Sequence, residues 1–159
     1  NPGARIFVAP KIIGTFTLKG IPESANLVFV ATGTGIAPFM SMLRDTSIWN
    51  SERKIHLFHG ARFRKDLAYE AELRNLAELK RSFNYYPVLS REQCLEEIPT
   101  GHVQDLLSED SLLLQAATTH AFLCGNPNMI SEVQEILEQR GFKLSSKLQA
   151  GNIHIEKYW

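Results

Sequence analysis

The chain has 159 residues, with 17 Lys and Arg balanced by 17 Asp and Glu, and it is 44% hydrophobic and 21% charged. That length supports one domain with its own core, while a net charge of zero argues against broad nucleic-acid binding, which needs an excess of positive charge. No apolar run approaches the roughly 20 residues that span a bilayer, and two cysteines far apart in sequence, Cys94 and Cys124, frame no disulfide scaffold, so a reducing cytoplasm is the expected compartment.

The first residue is Asn1, not Met, which suggests a fragment or a processed chain. Residues 1–20, "NPGARIFVAPKIIGTFTLKG", look like one or two strands of another unit, the tail of a preceding β domain, and the domain proper is expected over 21–159. "NLVFVAT" (26–32) is short, apolar and β-branched without alternation, the pattern of a buried strand. "IAPFMSMLRD" (36–45) reads as a helix, with Pro38 tolerated in its first turn. "KIHLFHG" (54–60) is a second strand. "DLAYEAELRNLAELKR" (66–81) is a helix with Asp66 as N-cap and Tyr69, Leu73, Leu76 and Ala77 on one apolar face. A third strand, "NYYPVLS" (84–90), precedes a short helix, "VQDLLSE" (103–109). A fourth strand, "HAFLCG" (120–125), leads into the clearest helix, "PNMISEVQEILEQRG" (127–141). Asn126 caps that helix, Pro127 takes its first position and Gly141 ends it. "NIHIEKYW" (152–159) is the last strand.

Strands alternating with helices predict an α/β fold: a five-stranded parallel sheet with helices on both faces. Ligands of such sheets bind beyond the carboxyl ends of the strands. Four of these ends carry the chain's glycines and isolated polar residues: Thr32–Gly35, Gly60–Arg62, Ser90–Arg91 and Cys124–Pro127.

In "ATGTGIAP", Gly33 and Gly35 permit backbone angles closed to other residues and let a ligand approach the main chain. The following helix aims free N–H groups at the same spot, which suits a pyrophosphate. The spacing G-x-G-x-x-P lacks the third glycine of the dinucleotide fingerprint, and no Lys-Ser/Thr pair follows to make an ATP-type loop. An ordinary strand–helix turn is the alternative. Ser90 and Arg91, with Arg62, could hold a phosphate on a ribose through hydroxyl and guanidinium groups, favouring NADP over NAD. Solvated surface arginines are the alternative there. Cys124 precedes a helix N-terminus, where a thiol pKa can fall. A buried structural cysteine is the commoner case, and no Cys/His pair marks a nucleophile. No Cys/His cluster has metal-ligand spacing.

Together "ATGTGIAPFMSML", "HGAR", "DLAYEAEL", "PVLSRE", "FLCGNPNM" and "GNIHIEKYW" resemble, in order and spacing, the ferredoxin/flavodoxin–NADP⁺ reductases of bacterial type. The resemblance covers about residues 14–159. It implies a Rossmann-like NADP-binding domain of an oxidoreductase, in which Thr32, Gly33, Thr34, Gly35, Ile36, Ala37 and Pro38 follow the pyrophosphate and the nicotinamide side. Arg62, Ser90 and Arg91 would hold the 2′-phosphate. Cys124, Gly125, Asn126, Pro127 and Met129 would form the loop beside the nicotinamide, with Glu156 near the flavin edge. Tyr158 would stack on the isoalloxazine, and Trp159 would fold towards the FAD adenine. Cys124, Glu156 and Tyr158 are the catalytic candidates. Bacterial members often carry an arginine where "TGHV" stands, so His102 is a departure.

The resemblance further implies the cofactors NADP(H) and FAD, the latter held mostly by an N-terminal β-barrel of which residues 1–20 would be the remnant. It implies hydride transfer between NADPH and FAD, with single electrons exchanged with ferredoxin or flavodoxin. The isolated chain is expected to bind little FAD and show no turnover. Neither nucleic acid nor membrane is an expected partner. An NADH-dependent oxygenase reductase, a flavohaemoglobin-like reductase, and a nucleotide-binding electron-transfer subunit without turnover are the alternatives.

Overall fold

The computed structural model describes residues 3–5, 7, 14–93, 97–108, 114–146 and 148–157. Five strands, β1 (Asn26–Thr32), β2 (Ile55–Ala61), β3 (Phe83–Leu89), β4 (Thr119–Cys124) and β5 (Ile153–Glu156), form one sheet in the order β3-β2-β1-β4-β5. Every pairing is parallel. Among the described residues four α-helices connect them: α1 (Ile36–Arg44), α2 (Glu70–Leu79), α3 (Val103–Ser108) and α4 (Pro127–Gln139).

The sheet is buried on both faces, which is why its strands read as unbroken apolar runs. On one face Leu27, Phe29, Leu57 and Phe122 pack with Phe39, Met40 and Leu43 of α1 and Leu73 of α2. On the other, Val28, Val30, Phe58 and Leu123 pack with Val103 and Leu107 of α3 and Ile130, Val133 and Leu137 of α4. The chain winds outward from β1 through β2 to β3, then returns across the sheet to β4. The strand order therefore reverses between β1 and β4, the switch point at which such sheets open a crevice.

The expected helix over 66–81 begins later. Asp66 is not its cap: Arg64–Asp66 forms a short 3₁₀ turn, Leu67 is buried, and Tyr69 takes a left-handed conformation at φ 63° before the helix starts at Glu70. Tyr69 is 45% exposed rather than on the buried face. Glu70 and Glu72 supply the first-turn acids that suit the helix dipole. By contrast α4 begins as its sequence implies. The Asn126 side chain accepts the Asn128 N–H at 2.8 Å, Pro127 takes the first position, and Gly141 at φ +86° lies just past the end.

The described residues of the 1–20 segment form no strand. Phe16 and Leu18 pack on the α1 face, with the Phe16 ring 5.9 Å from Phe39 and 5.5 Å from Phe122. Arg53, 7% exposed, secures the entry to the domain. Its Nε donates to the Glu23 carbonyl at 2.9 Å and a terminal nitrogen donates to the Pro22 carbonyl at 3.2 Å. Among the described residues, no helix is long and apolar enough to cross a membrane.

Candidate functional site

A cleft of about 620 Å³ lies across the carboxyl ends of β1, β2, β3 and β4. Of the residues singled out from sequence, Thr32, Gly33, Arg62, Ser90, Arg91, Asn126 and Met129 line it together. They come from four separate stretches, so the convergence is made by the sheet.

The β1 end is its floor. Gly33 sits at φ +55°, and a Cβ there would meet nothing, leaving the main chain open to a ligand. Gly35 has a different reason to be glycine. Its φ of −61° is ordinary, but a Cβ would collide with the Cys124 carbonyl, so it lets α1 approach the β4 loop. No side chain caps α1; the Ile36 N–H instead closes the 3₁₀ turn by donating to the Gly33 and Thr34 carbonyls. Across the switch point, the Thr32 hydroxyl accepts the Asn126 N–H at 2.8 Å. Gly125, at φ +140°, has no room for a Cβ against that same threonine. Thr32 thus staples the β1 loop to the β4 loop. Neither loop's sequence announces this contact between residues 94 positions apart.

The β2 and β3 ends form the charged wall. The Ser90 N–H donates to the Ala61 carbonyl at 2.9 Å and the Arg91 N–H to the Arg62 carbonyl at 3.0 Å. These bonds extend the β2–β3 ladder past the strands and set Arg62 beside Arg91. Both arginines are exposed, and among the described residues neither has an ion-pair partner. Arg64 is instead held by Glu70 and Glu97, each at 3.2 Å. Its backbone N–H donates to Glu92 at 2.7 Å. Glu70, Glu92 and Glu97 are thereby engaged away from the two arginines, while Asp66 lines the cleft with them.

A second extension was not legible in the sequence. The Leu89 N–H donates to Pro99 at 3.1 Å, the Gly101 N–H donates to Leu89 at 2.9 Å, and Leu89 bridges Thr100 in parallel. The segment leading into α3 is therefore drawn along β3 and brings His102 to the cleft. Asn128 and Glu132 of α4 and Gln104 of α3 also line it. Their signal was available: Asn128, Met129 and Glu132 share the face of α4 that follows a strand end.

The remaining candidates lie elsewhere. Ile36 and Cys124 are buried in the core, at 2% and 0% exposure. Thr34 and Ala37 are exposed, and Pro38 and Pro127 half-buried. Glu156 is half-buried at the end of β5, and the β4–β5 register makes it the partner of Cys124. Tyr158 and Trp159 lie outside the described residues, as does Cys94.

Two imidazole systems lie behind this rim. His59, fully buried, places Nδ1 3.1 Å from the Tyr85 hydroxyl, and its Nε2 has no hydrogen-bond partner. Burial holds it down to about 4, against the opposing pull of Glu70, and raises the Tyr85 phenol. His120 and His154 stack and share a 3.0 Å contact between ring nitrogens. Burial lowers both, His154 to about 4, with the His120 charge adding to the effect on His154.

Residues 29–135 match the family described as oxidoreductase NAD-binding domain. A flavodoxin/ferredoxin–NADP reductase of Buchnera aphidicola is 34% identical, over 100% of this chain and 67% of the relative. A ferredoxin–NADP reductase of Azotobacter vinelandii is 29% identical, over 98% of this chain and 65% of its own length. Among solved structures, a ferredoxin NADP⁺ reductase from Neisseria gonorrhoeae with bound FAD and NADP superposes with a TM-score of 0.80 at 27% identity, covering 92% of this chain and 61% of that one. The chain thus spans about two thirds of the length of these relatives.

Proposed function

This chain belongs to the ferredoxin/flavodoxin–NADP reductase family, and we propose that it is the NADP(H)-binding part of such an oxidoreductase. The observation that carries this is the paired Arg62 and Arg91 beside Ser90, aligned by the extended β2–β3 ladder at the rim of a switch-point cleft. Guanidinium groups bind phosphate in a fork and stay charged at any working pH. A site for NAD alone would instead offer an acid to the ribose hydroxyls.

In this reading Arg62, Ser90 and Arg91 hold the 2′-phosphate. The pyrophosphate passes over Gly33 and the start of α1, and the open space at Gly33 fits that path. Asn126, Pro127 and Met129 border the nicotinamide end, with Gly125 shaping the loop beneath. Cys124, being buried, acts as a positioning residue through the backbone that rests on Gly35. Glu156, beside it in register, holds or passes a proton at the flavin side. Tyr158 and Trp159 would cover the flavin. When bound, NADP(H) and FAD supply the hydride chemistry; the protein supplies position and charge.

FAD is assigned mostly to a β-barrel outside residues 21–159, with residues 1–20 as its end. Ferredoxin or flavodoxin is the proposed electron partner, and the cytoplasm the proposed compartment. Calorimetric titration of the Arg91→Ala variant tests the reading. We expect the affinity for NADP⁺ to fall about 10- to 100-fold, with little change for NAD⁺. Equal losses for both would sink the 2′-phosphate assignment.

A further inference from the structure

We propose that Glu92 is a positioning residue for the 2′-phosphate site. It clasps the chain after β2, the chain after β3 and the approach to α3 into one rim, and so fixes how Arg62 and Arg91 face a phosphate. The inference rests on the 2′-phosphate site proposed above and adds to it the residue that holds its two arginines in place.

Three segments meet on this one residue. The main-chain bonds between the β2 and β3 ends finish where the Arg91 N–H donates to the Arg62 carbonyl. Glu92 takes over at the next position. Its carboxylate accepts the Arg64 N–H at 2.7 Å, and its carbonyl accepts the Thr100 hydroxyl at 3.2 Å. The first bond ties down the chain just after Arg62. The second ties down the chain that leads into α3.

The carboxylate meets a need of the local backbone. Arg64–Asp66 is a 3₁₀ turn, closed by the Asp66 N–H on the Phe63 carbonyl and the Leu67 N–H on the Arg64 carbonyl. The Arg64 N–H is the first amide of that turn, so it points outward and takes its acceptor from elsewhere. Phe63, which flanks the turn, has no side-chain oxygen to offer. Glu92 supplies the cap from the neighbouring strand end, and the bond is charge-assisted. The Arg64 side chain is held separately by Glu70 and Glu97. Glu92 therefore acts on the backbone of the loop that carries Arg62.

The charges explain why such a clasp matters. Arg62 and Arg91 are exposed like charges on adjacent loops, and they repel. Forked recognition of a phosphate needs their donors at a fixed spacing. Bonds across the rim hold that spacing against the repulsion. As a carboxylate next to Arg91, Glu92 could only compete with a phosphate for the guanidinium groups; the Arg64 amide turns it away from them.

The two ways in which Glu92 could act on binding have opposite signs. As a nearby negative charge, its loss would strengthen phosphate binding. As a clasp, its loss weakens binding. The test is titration of the chain and its variants with 2′-phospho-AMP and with AMP at pH 7 and fixed ionic strength, without phosphate buffer. The ratio of the two affinities is read, because the 5′-phosphate common to both ligands cancels in it. We expect Glu92→Ala to lower the preference for 2′-phospho-AMP about three- to ten-fold. Glu92→Gln keeps an acceptor oxygen and loses the charge, and should hold the preference at or above that of the unaltered chain. Hydrogen exchange at the Arg64 amide should accelerate in Glu92→Ala and not in Glu92→Gln. Thr100→Val removes the other bond without touching a charge. It should lower the preference about two-fold, which keeps the clasp testable if Glu92→Ala fails to fold. A preference unchanged or raised in Glu92→Ala would overturn the clasp and leave the arginine site standing. So would equal losses in Glu92→Ala and Glu92→Gln. A ratio near one in the unaltered chain would overturn the 2′-phosphate site itself.

Discussion

At the ends of β2 and β3 the chemical groups stand in solvent, while at the ends of β4 and β5 the matching positions are closed. Arg62 and Arg91 are exposed and reach into the cleft, whereas Cys124 and Gly125 are buried and Glu156 is half-buried. Both halves belong to the same rim. The charged half is built by the backbone ladder: two hydrogen bonds continue the β2–β3 pairing, and two more draw in the approach to α3. The closed half is held by contacts with no spare room, Gly35 under the Cys124 carbonyl and Gly125 against Thr32. A phosphate can be recognised by a few forked donors on a rigid edge. In the reading proposed above, the side at β4 and β5 is the one that would meet the second cofactor, and there Cys124 and Gly125 are packed rather than exposed.

Breaking the closed half should cost most. Gly35→Ala places a methyl group into the backbone of residues 124–125, which cannot move as a flexible side chain would. We expect a loss of more than about 3 kcal/mol, read by urea unfolding. A near-neutral result would mean that the approach of α1 to the β4 loop is loose.

Acid should act next, and on the scaffold rather than on the arginines. His59 and His154 are each held down to about 4 by burial. The unfolded chain therefore takes up these protons first, so stability present above pH 6.5 declines as the pH falls towards 4. For the fully buried His59 alone this amounts to about 2 kcal/mol. Unfolding midpoints at pH 7 and 5 check it, and His154→Gln should reduce the drop. A flat profile would contradict the buried neutral imidazoles.

Thr32→Val sharpens the comparison at the seam between the halves. It keeps the shape but leaves the Asn126 N–H without its acceptor, at a cost of about 1–2 kcal/mol. Faster hydrogen exchange at the Asn126 amide should accompany it. Unchanged exchange would remove the staple.

The strands and the convergence of their ends were legible because burial on both faces leaves long apolar runs that stop at glycine and polar residues. The cap of α4 was legible because Asn126, Pro127 and Gly141 act within a few residues. What was not legible is non-local. The start of α2 is set by Leu67 packing and by Tyr69 in a left-handed conformation, against the local preference for Asp66 as cap. Gly35 looked like a conformational glycine and is a steric one. The Thr32 staple and the bonds from Leu89 to Pro99 and Gly101 join residues that only the folded sheet brings together.

The most direct test of the central claim is calorimetric titration of this chain with 2′-phospho-AMP and AMP at pH 7. A site built from Arg62, Ser90 and Arg91 predicts that 2′-phospho-AMP binds about 30-fold more tightly. Equal, weak binding of both would contradict it and would mean either an NADH-type site or one completed only by residues outside this chain.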